Sequence, residues 1–169
     1  MSTPVRAYIG LGSNLADPLQ QVARALHELE SIPRSQLVAR SGLYLSAPMG
    51  PRDQPDYINA VAAINTQLDA KTLLHHLQDI ERSHGRVRNG ERWSPRTLDL
   101  DLLLYGDEIS SDDELTLPHP GAHERAFVLA PLCAIAPQCT IPGKGRVSDL
   151  LEACRSQLIG VVDSVALAR

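Results

Sequence analysis

Residues 86–105 read RVRNGERWSPRTLDLDLLLY. The last eight of them, 98–105, are apolar positions interrupted by Asp99 and Asp101, the pattern of a strand. Alternate side chains of a strand share a face. Leu98, Leu100, Leu102 and Leu104 then point one way, and Asp99, Asp101, Leu103 and Tyr105 the other. Two carboxylates two residues apart sit roughly 6–7 Å from each other. At that separation they repel by about 2–3 kcal/mol at a surface-like dielectric. A charged outer face on an edge strand is one reading of the pair. The other is a divalent cation, which turns the repulsion into attraction. Hard oxygen ligands suit Mg²⁺, which is commonly held by one or two carboxylates plus substrate phosphates. Arg86, Arg88, Arg92 and Arg96 lie immediately upstream, against one acid, Glu91. Guanidinium groups beside paired acids favour the metal reading and a polyphosphate ligand.

Working outward, that strand closes a β-α-β-β-α-β order. Residues 5–11 are a short apolar strand ending in a Gly-Ser-Asn turn signal. Asp17-Pro18 reads as an N-cap and first helical residue, followed by Leu19, Val22, Leu26 and Leu29 at helical spacing, with Pro33 ending the helix. Residues 37–46 are strand-like. The segment APMGPRDQPD that follows is loop. Residues 57–66 form the next strand. Asp69 caps a second helix with Leu73, Leu74, Leu77 and Ile80 on its buried stripe, ending near Gly85. This order predicts an α+β, ferredoxin-like fold with a mainly antiparallel sheet flanked by helices. Beyond it lie a polar Pro-rich loop, an apolar helix to about Ala136 with Pro131 inside it, and a last helix over residues 148–157.

The chain has 169 residues, the size of one domain, and residues 1–169 are expected to form a single unit. Its 43% hydrophobic and 21% charged residues are ordinary for a globular protein, and its net charge is −4. Any anion site is therefore local. An RNA-binding ferredoxin-like module needs a basic face with exposed aromatics, which 4% aromatics and a negative net charge disfavour. The start of the chain lacks a signal-peptide pattern, and the longest apolar run, 127–137, is too short to cross a membrane. Cys133, Cys139 and Cys154 are odd in number and lack a C-x-x-C spacing, so they read as packing thiols in a reducing compartment. A cytoplasmic monomer is expected.

Other clusters carry weaker signals. Gly10-Leu-Gly-Ser-Asn14 resembles a phosphate-cradling turn but has neither the G-x-G-x-x-G nor the Walker spacing, and a tight connection is the plainer reading. Tyr57 and Asn59 share a strand face, where a ring and an amide suit a flat hydrogen-bonding heterocycle. Gln78 and Glu81 are neighbours on the second helix, a pattern whose default is a solvated polar face. His119 is held between Pro118 and Pro120, with His123, Arg125 and Phe127 close behind. No further ligand sits at zinc spacing from the two histidines. Trp93, the one tryptophan, lies among the arginines.

The segments YIGLGSNL (8–15), GPRDQPDYINA (50–60), GRVRNGERWSPRTLDLDLLLYG (85–106) and LPHPGAHERAFVLAPL (117–132) closely resemble the 6-hydroxymethyl-7,8-dihydropterin pyrophosphokinase family. The resemblance spans nearly the whole chain. It implies transfer of the β,γ-diphosphate of ATP to the hydroxymethyl group of a reduced pterin, releasing AMP, in folate synthesis. It also implies two Mg²⁺ ions on Asp99 and Asp101, with Arg86 and Arg96 completing the catalytic set. Gln78, Glu81, Arg88, Arg92, Trp93, Arg96, Thr116, His119 and Arg125 match positions that bind ATP or close over it. Ser46, Pro48, Tyr57, Asn59 and Phe127 match the pterin pocket, with Tyr57 and Phe127 sandwiching the ring. Asn89 and Ser94 depart from the family pattern in the closing loop. The alternative from another class is a pterin- or nucleotide-binding module without transfer. Paired acids and arginines argue against it, because a bare binder has no need to hold metal.

Overall fold

In a computed structural model of the chain, the structure describes residues 3–14, 17–46, 56–85, 98–157 and 159–161. Strands β1 (Val5–Ser13), β2 (Ser35–Arg40), β3 (Tyr44–Ser46), β4 (Tyr57–Thr66) and β5 (Asp99–Tyr105) alternate with helices α1 (Pro18–Leu29) and α2 (Ala70–Ser83). The remainder holds β6 (Ser110–Ser111), β7 (Thr116–Leu117), a 3₁₀ turn (Ala122–Glu124), α3 (Ala126–Ile135), β8 (Thr140–Ile141), β9 (Gly145–Arg146), α4 (Val147–Ala153) and β10 (Ile159–Val161).

The main sheet is antiparallel and runs β10-β3-β4-β1-β5, with β2 also paired to β4. The expected α+β, ferredoxin-like order holds. The strand read as 37–46 is two strands, both paired with β4 and separated at Ser41–Leu43. Ser41 explains the join. Its N–H donates to the Val61 carbonyl, and its Oγ accepts the Val61 N–H, both at 2.9 Å. A side-chain oxygen thus stands in for a ladder carbonyl while the backbone turns away.

The helix signals were mostly sound. Asp69 caps α2, its Oδ1 accepting the Thr72 N–H at 2.8 Å. Asp17 does not cap α1 with its side chain. It sits at φ 63°, and its carbonyl instead accepts the Gln21 N–H at 3.0 Å. The apolar helix α3 contains Pro131 as expected. The last helix is shorter than the expected 148–157, ending at Ala153.

Two apolar cores lie on opposite faces of the sheet. One joins Ile9, Leu11, Ile58, Ile64, Leu100 and Leu102 to α1 and α2 through Val22, Leu26, Leu29, Leu73 and Leu77. The other packs Val61, Leu103 and Leu104 against Leu129 and Leu132 of α3 and Val147 of α4. Strict alternation along β5 would send Leu104 to the first core. A register shift opposite Tyr8/Ile9 leaves Leu103 without a partner and turns Leu104 to the α3 side, so that Tyr105 packs on the first core. One extra residue in a strand reverses the facing of everything beyond it. Asp99 and Asp101 precede the shift and keep the predicted common face.

His84, just past α2, ties the two helices of the first core together. Its side chain is fully buried, and its two ring nitrogens meet Gln21 and Glu28 of α1.

Candidate active site

The site forms on the α3 face of the sheet, where β4, β1 and β5 lie side by side. Asn59 of β4 pairs with Gly12 of β1, which pairs with Asp99 of β5. The next row on that face is Val61, Gly10 and Asp101. The two glycines are therefore strand residues, and β1 runs two residues past the expected end at Leu11. The Gly10–Asn14 segment is not a phosphate-cradling turn. Its glycines leave the floor between β4 and β5 bare, so that Asn59 and Asp99 face each other across roughly 10 Å, two strand spacings. A Cβ on Gly12 would lie 3.1 Å from Asn59 Nδ2, and one on Gly10 would lie 3.3 Å from the Leu103 side chain. Side chains there would crowd the groups the floor presents.

On the β4 side, Asn59 is buried and its Oδ1 accepts the Ser46 hydroxyl at 2.6 Å. Tyr57 stands on the same face, half-buried. On the β5 side, Asp99 is half-buried and Asp101 exposed. Among the described residues no cluster of three or more His, Cys, Asp or Glu is arranged to hold a metal. Two carboxylates on one face are the described donor set. They leave most of a cation's coordination to water or to a ligand's oxygens, which fits Mg²⁺ better than zinc.

Among the described residues, the far edge of β5 has no strand neighbour in the sheet, and two groups serve it instead. Glu81, 3% exposed, accepts the Leu100 N–H on Oε2 at 2.8 Å, between the two aspartates. The solvated polar face expected for Gln78 and Glu81 is wrong for Glu81; Gln78 is partly exposed. The His119 N–H donates to the Leu103 carbonyl at 2.9 Å.

That second bond carries His119 to Asp101. His119 Nδ1 accepts the Gly121 N–H at 3.1 Å, so the proton of the neutral ring sits on Nε2. Nε2 lies 3.9 Å from Asp101 Oδ1. Burial lowers the His119 pKa, Asp101 opposes that shift, and Arg125 adds to it, so the ring is neutral near pH 7. Gly121 also makes room for Arg125, because a Cβ there would stand 2.5 Å from the guanidinium carbon. The same guanidinium lies 5.8 Å from the Phe127 ring centre. Thr116 is exposed on β7. The β6–β7 hairpin is held to α2 by Lys71 with Asp112 and His75 with Glu114, both at 2.9 Å.

Thus Ser46, Tyr57 and Asn59 gather at one side of the floor, with Asp99 and Asp101 across it and His119 beside Asp101. Arg125 and Phe127 sit together at the start of α3. Arg86, Arg88, Arg92, Trp93, Arg96 and Pro48 lie outside the described residues. Sequence reasoning missed Gln157, whose amide accepts the Ala126 N–H and donates to the Glu124 carbonyl, both at 2.8 Å, bracketing Arg125. No local signal marks it, since its partners are 31 and 33 residues away.

Residues 8–137 match the family model described as 7,8-dihydro-6-hydroxymethylpterin-pyrophosphokinase (HPPK). The 2-amino-4-hydroxy-6-hydroxymethyldihydropteridine pyrophosphokinase of Haemophilus influenzae is 47% identical over 148 residues, 88% of this chain and 92% of that protein. The protein of the same name from Pseudomonas aeruginosa is 48% identical over 149 residues, 88% of this chain and 91% of that one. Among solved structures, the Plasmodium falciparum HPPK-DHPS with SDX-DHP superposes with a TM-score of 0.73 at 13% identity. It matches 92% of this chain, which spans 45% of that longer one, and at this identity the likeness is of fold alone. No helix among the described residues is long and apolar enough to cross a membrane.

Proposed function

We propose that this chain, which belongs to the 7,8-dihydro-6-hydroxymethylpterin-pyrophosphokinase family, performs the family's pyrophosphoryl transfer on the glycine-floored face of its sheet. The hydroxymethyl oxygen of 6-hydroxymethyl-7,8-dihydropterin attacks the β-phosphorus of ATP. A new P–O bond forms, the α–β bridging bond breaks, and AMP leaves. The observation that carries this reading is the row Asn59, Gly12, Asp99. It sets an oriented amide and a carboxylate pair on opposite sides of one bare strand.

Asp99 and Asp101 would hold Mg²⁺, two ions by family resemblance, which neutralise phosphate charge and make the alcohol easier to deprotonate. Asn59, with its amide oriented by Ser46, reads the edge of the pterin. Tyr57 and Phe127 supply its stacking faces, and backbone near Ser46 and Pro48 completes the pocket. Selectivity follows because a closed site with an unpaired amide rejects a ring lacking the matching edge. Arg125, Arg86, Arg88 and Arg96 meet charge on the phosphate oxygens, and Arg92 and Trp93 close over the nucleotide. His119 is neutral, with its Nε2–H directed toward the carboxylate side, and so donates a hydrogen bond instead of taking a proton. Gln78 and Thr116 complete the nucleotide side, with Glu81 behind them on the Leu100 N–H. The chain acts as a single-domain monomer in the cytoplasm, with no nucleic-acid or membrane partner.

The test is AMP formation from ATP, Mg²⁺ and the pterin alcohol. Wild-type protein should form AMP only when the pterin is present. Asp99→Ala and Asp101→Ala should lower turnover by about a thousandfold or more with the fold intact. Binding of both substrates without AMP would establish the non-catalytic module instead.

A further inference from the structure

Glu81 is a carboxylate where the helical pattern called for a solvated one, yet it is 3% exposed. Burying a carboxylate is costly unless its oxygens are engaged. The engagement found here is unusual in its target. Oε2 takes the N–H of Leu100, a backbone group of a strand that, among the described residues, no other strand pairs on that side. Leu100 is the residue between Asp99 and Asp101. A neighbouring strand would hold that edge with a row of bonds, but would also cover the face edge where a ligand must enter. A charged acceptor from α2 holds the edge at Leu100, between the two aspartates, and the His119 N–H holds it again only at Leu103. Charge-assisted bonds to an N–H are about twice as strong as neutral ones, which suits a one-point anchor.

We infer that Glu81 is a positioning residue for the metal-binding pair: it fixes the peptide between Asp99 and Asp101 and so sets the spacing and aim of both carboxylates. This rests on the reading that those aspartates hold Mg²⁺. It differs from a direct nucleotide contact by Glu81, because its effect passes through the backbone of β5. Asp69 caps the same helix at its other end, and His84 ties its C-terminal end to α1. The anchor therefore stands on a helix held at both ends.

The test uses full-length Glu81→Met and Glu81→Gln. Two readouts are taken: hydrogen exchange of the Leu100 amide by NMR, and titration with MnCl₂ in the presence of a non-hydrolysable ATP analogue. In Glu81→Met, Leu100 exchange should speed up by about tenfold or more and half-saturating Mn²⁺ should rise about tenfold, in line with loss of a charged hydrogen bond. Pterin affinity should stay within about twofold. Glu81→Gln keeps an acceptor oxygen and should restore Leu100 protection and bring Mn²⁺ binding to within about threefold of wild type. Unchanged Leu100 exchange with weakened ATP binding at saturating metal would overturn the inference in favour of a direct contact. So would a Glu81→Gln protein that folds yet binds Mn²⁺ as poorly as Asp101→Ala, and this arm decides the matter if Glu81→Met does not fold. Asp99→Asn and Asp101→Asn serve as controls. If they leave Mn²⁺ binding unchanged, the metal reading itself fails, whatever Glu81 does.

Discussion

The Ser46 hydroxyl donates to Asn59 Oδ1 at 2.6 Å, across two adjacent strands and out of contact with solvent. With its oxygen occupied in this way, Asn59 turns Nδ2 toward Gly12 and the open floor. A two-fold ambiguous amide thereby acquires one orientation.

Ser46→Ala should therefore affect one substrate. The amide loses its lock and can rotate, and a buried acceptor loses its partner. Pterin affinity should fall about five- to tenfold, the effect of a lost buried hydrogen bond, while ATP affinity stays within about twofold. Calorimetric titration of each ligand checks this; an equal loss for both would contradict it.

Gly12→Ala places a methyl 3.1 Å from Asn59 Nδ2 and 3.6 Å from Tyr57 Cδ1. The backbone can accept alanine in a strand, so the fold should survive. The amide and the ring must give way together. We expect pterin KM to rise by about tenfold or more with a much smaller change in thermal midpoint. Unchanged pterin KM would show that the floor does not need to be bare.

His84 acts on stability. Replacing it with alanine leaves a cavity between α1 and α2 and strips Gln21 and Glu28 of a shared partner. The cost should be about 2–4 kcal/mol in urea denaturation, with the denaturant slope unchanged. A loss under about 0.5 kcal/mol would mean the helices are held together without it.

Asp69 gives a pH signature. The Thr72 N–H holds its carboxyl below the ordinary 3.8. Its stabilising effect is fully present above that unfolded-state value, and is lost as pH falls through the lower folded-state value. Asp69→Ala should thus be less stable than wild type at neutral pH, by roughly 2–4 °C in midpoint. The two proteins should converge as the pH drops below 3.8. A difference that persists undiminished in acid would mean the carboxylate charge is not what caps the helix.

Much of the architecture was legible in the chain because it depends on near neighbours. The βαββαβ order follows from hydrophobic period. The Asp69 cap follows from a three-residue reach. The common face of Asp99 and Asp101 follows from strand pleat alone, and the family motifs are contiguous. What the chain left open depended on which strands became neighbours. Gly10 and Gly12 read locally as a turn, yet β4 and β5 on either side draw them into the sheet as its floor. Glu81 read as solvated by helical spacing, yet the outer side of β5 offered it the Leu100 N–H to bind. Leu104 faces α3 because a register shift against β1, invisible in either strand by itself, reverses the pleat. Gln157 reaches the Ala126 N–H and the Glu124 carbonyl, on either side of Arg125, across 31 and 33 residues. Propensity and periodicity are properties of adjacent residues, so sequence determined the elements and their inner faces. Pairing register, edge satisfaction and distant hydrogen bonds are properties of the packed whole, and there the tertiary structure decided.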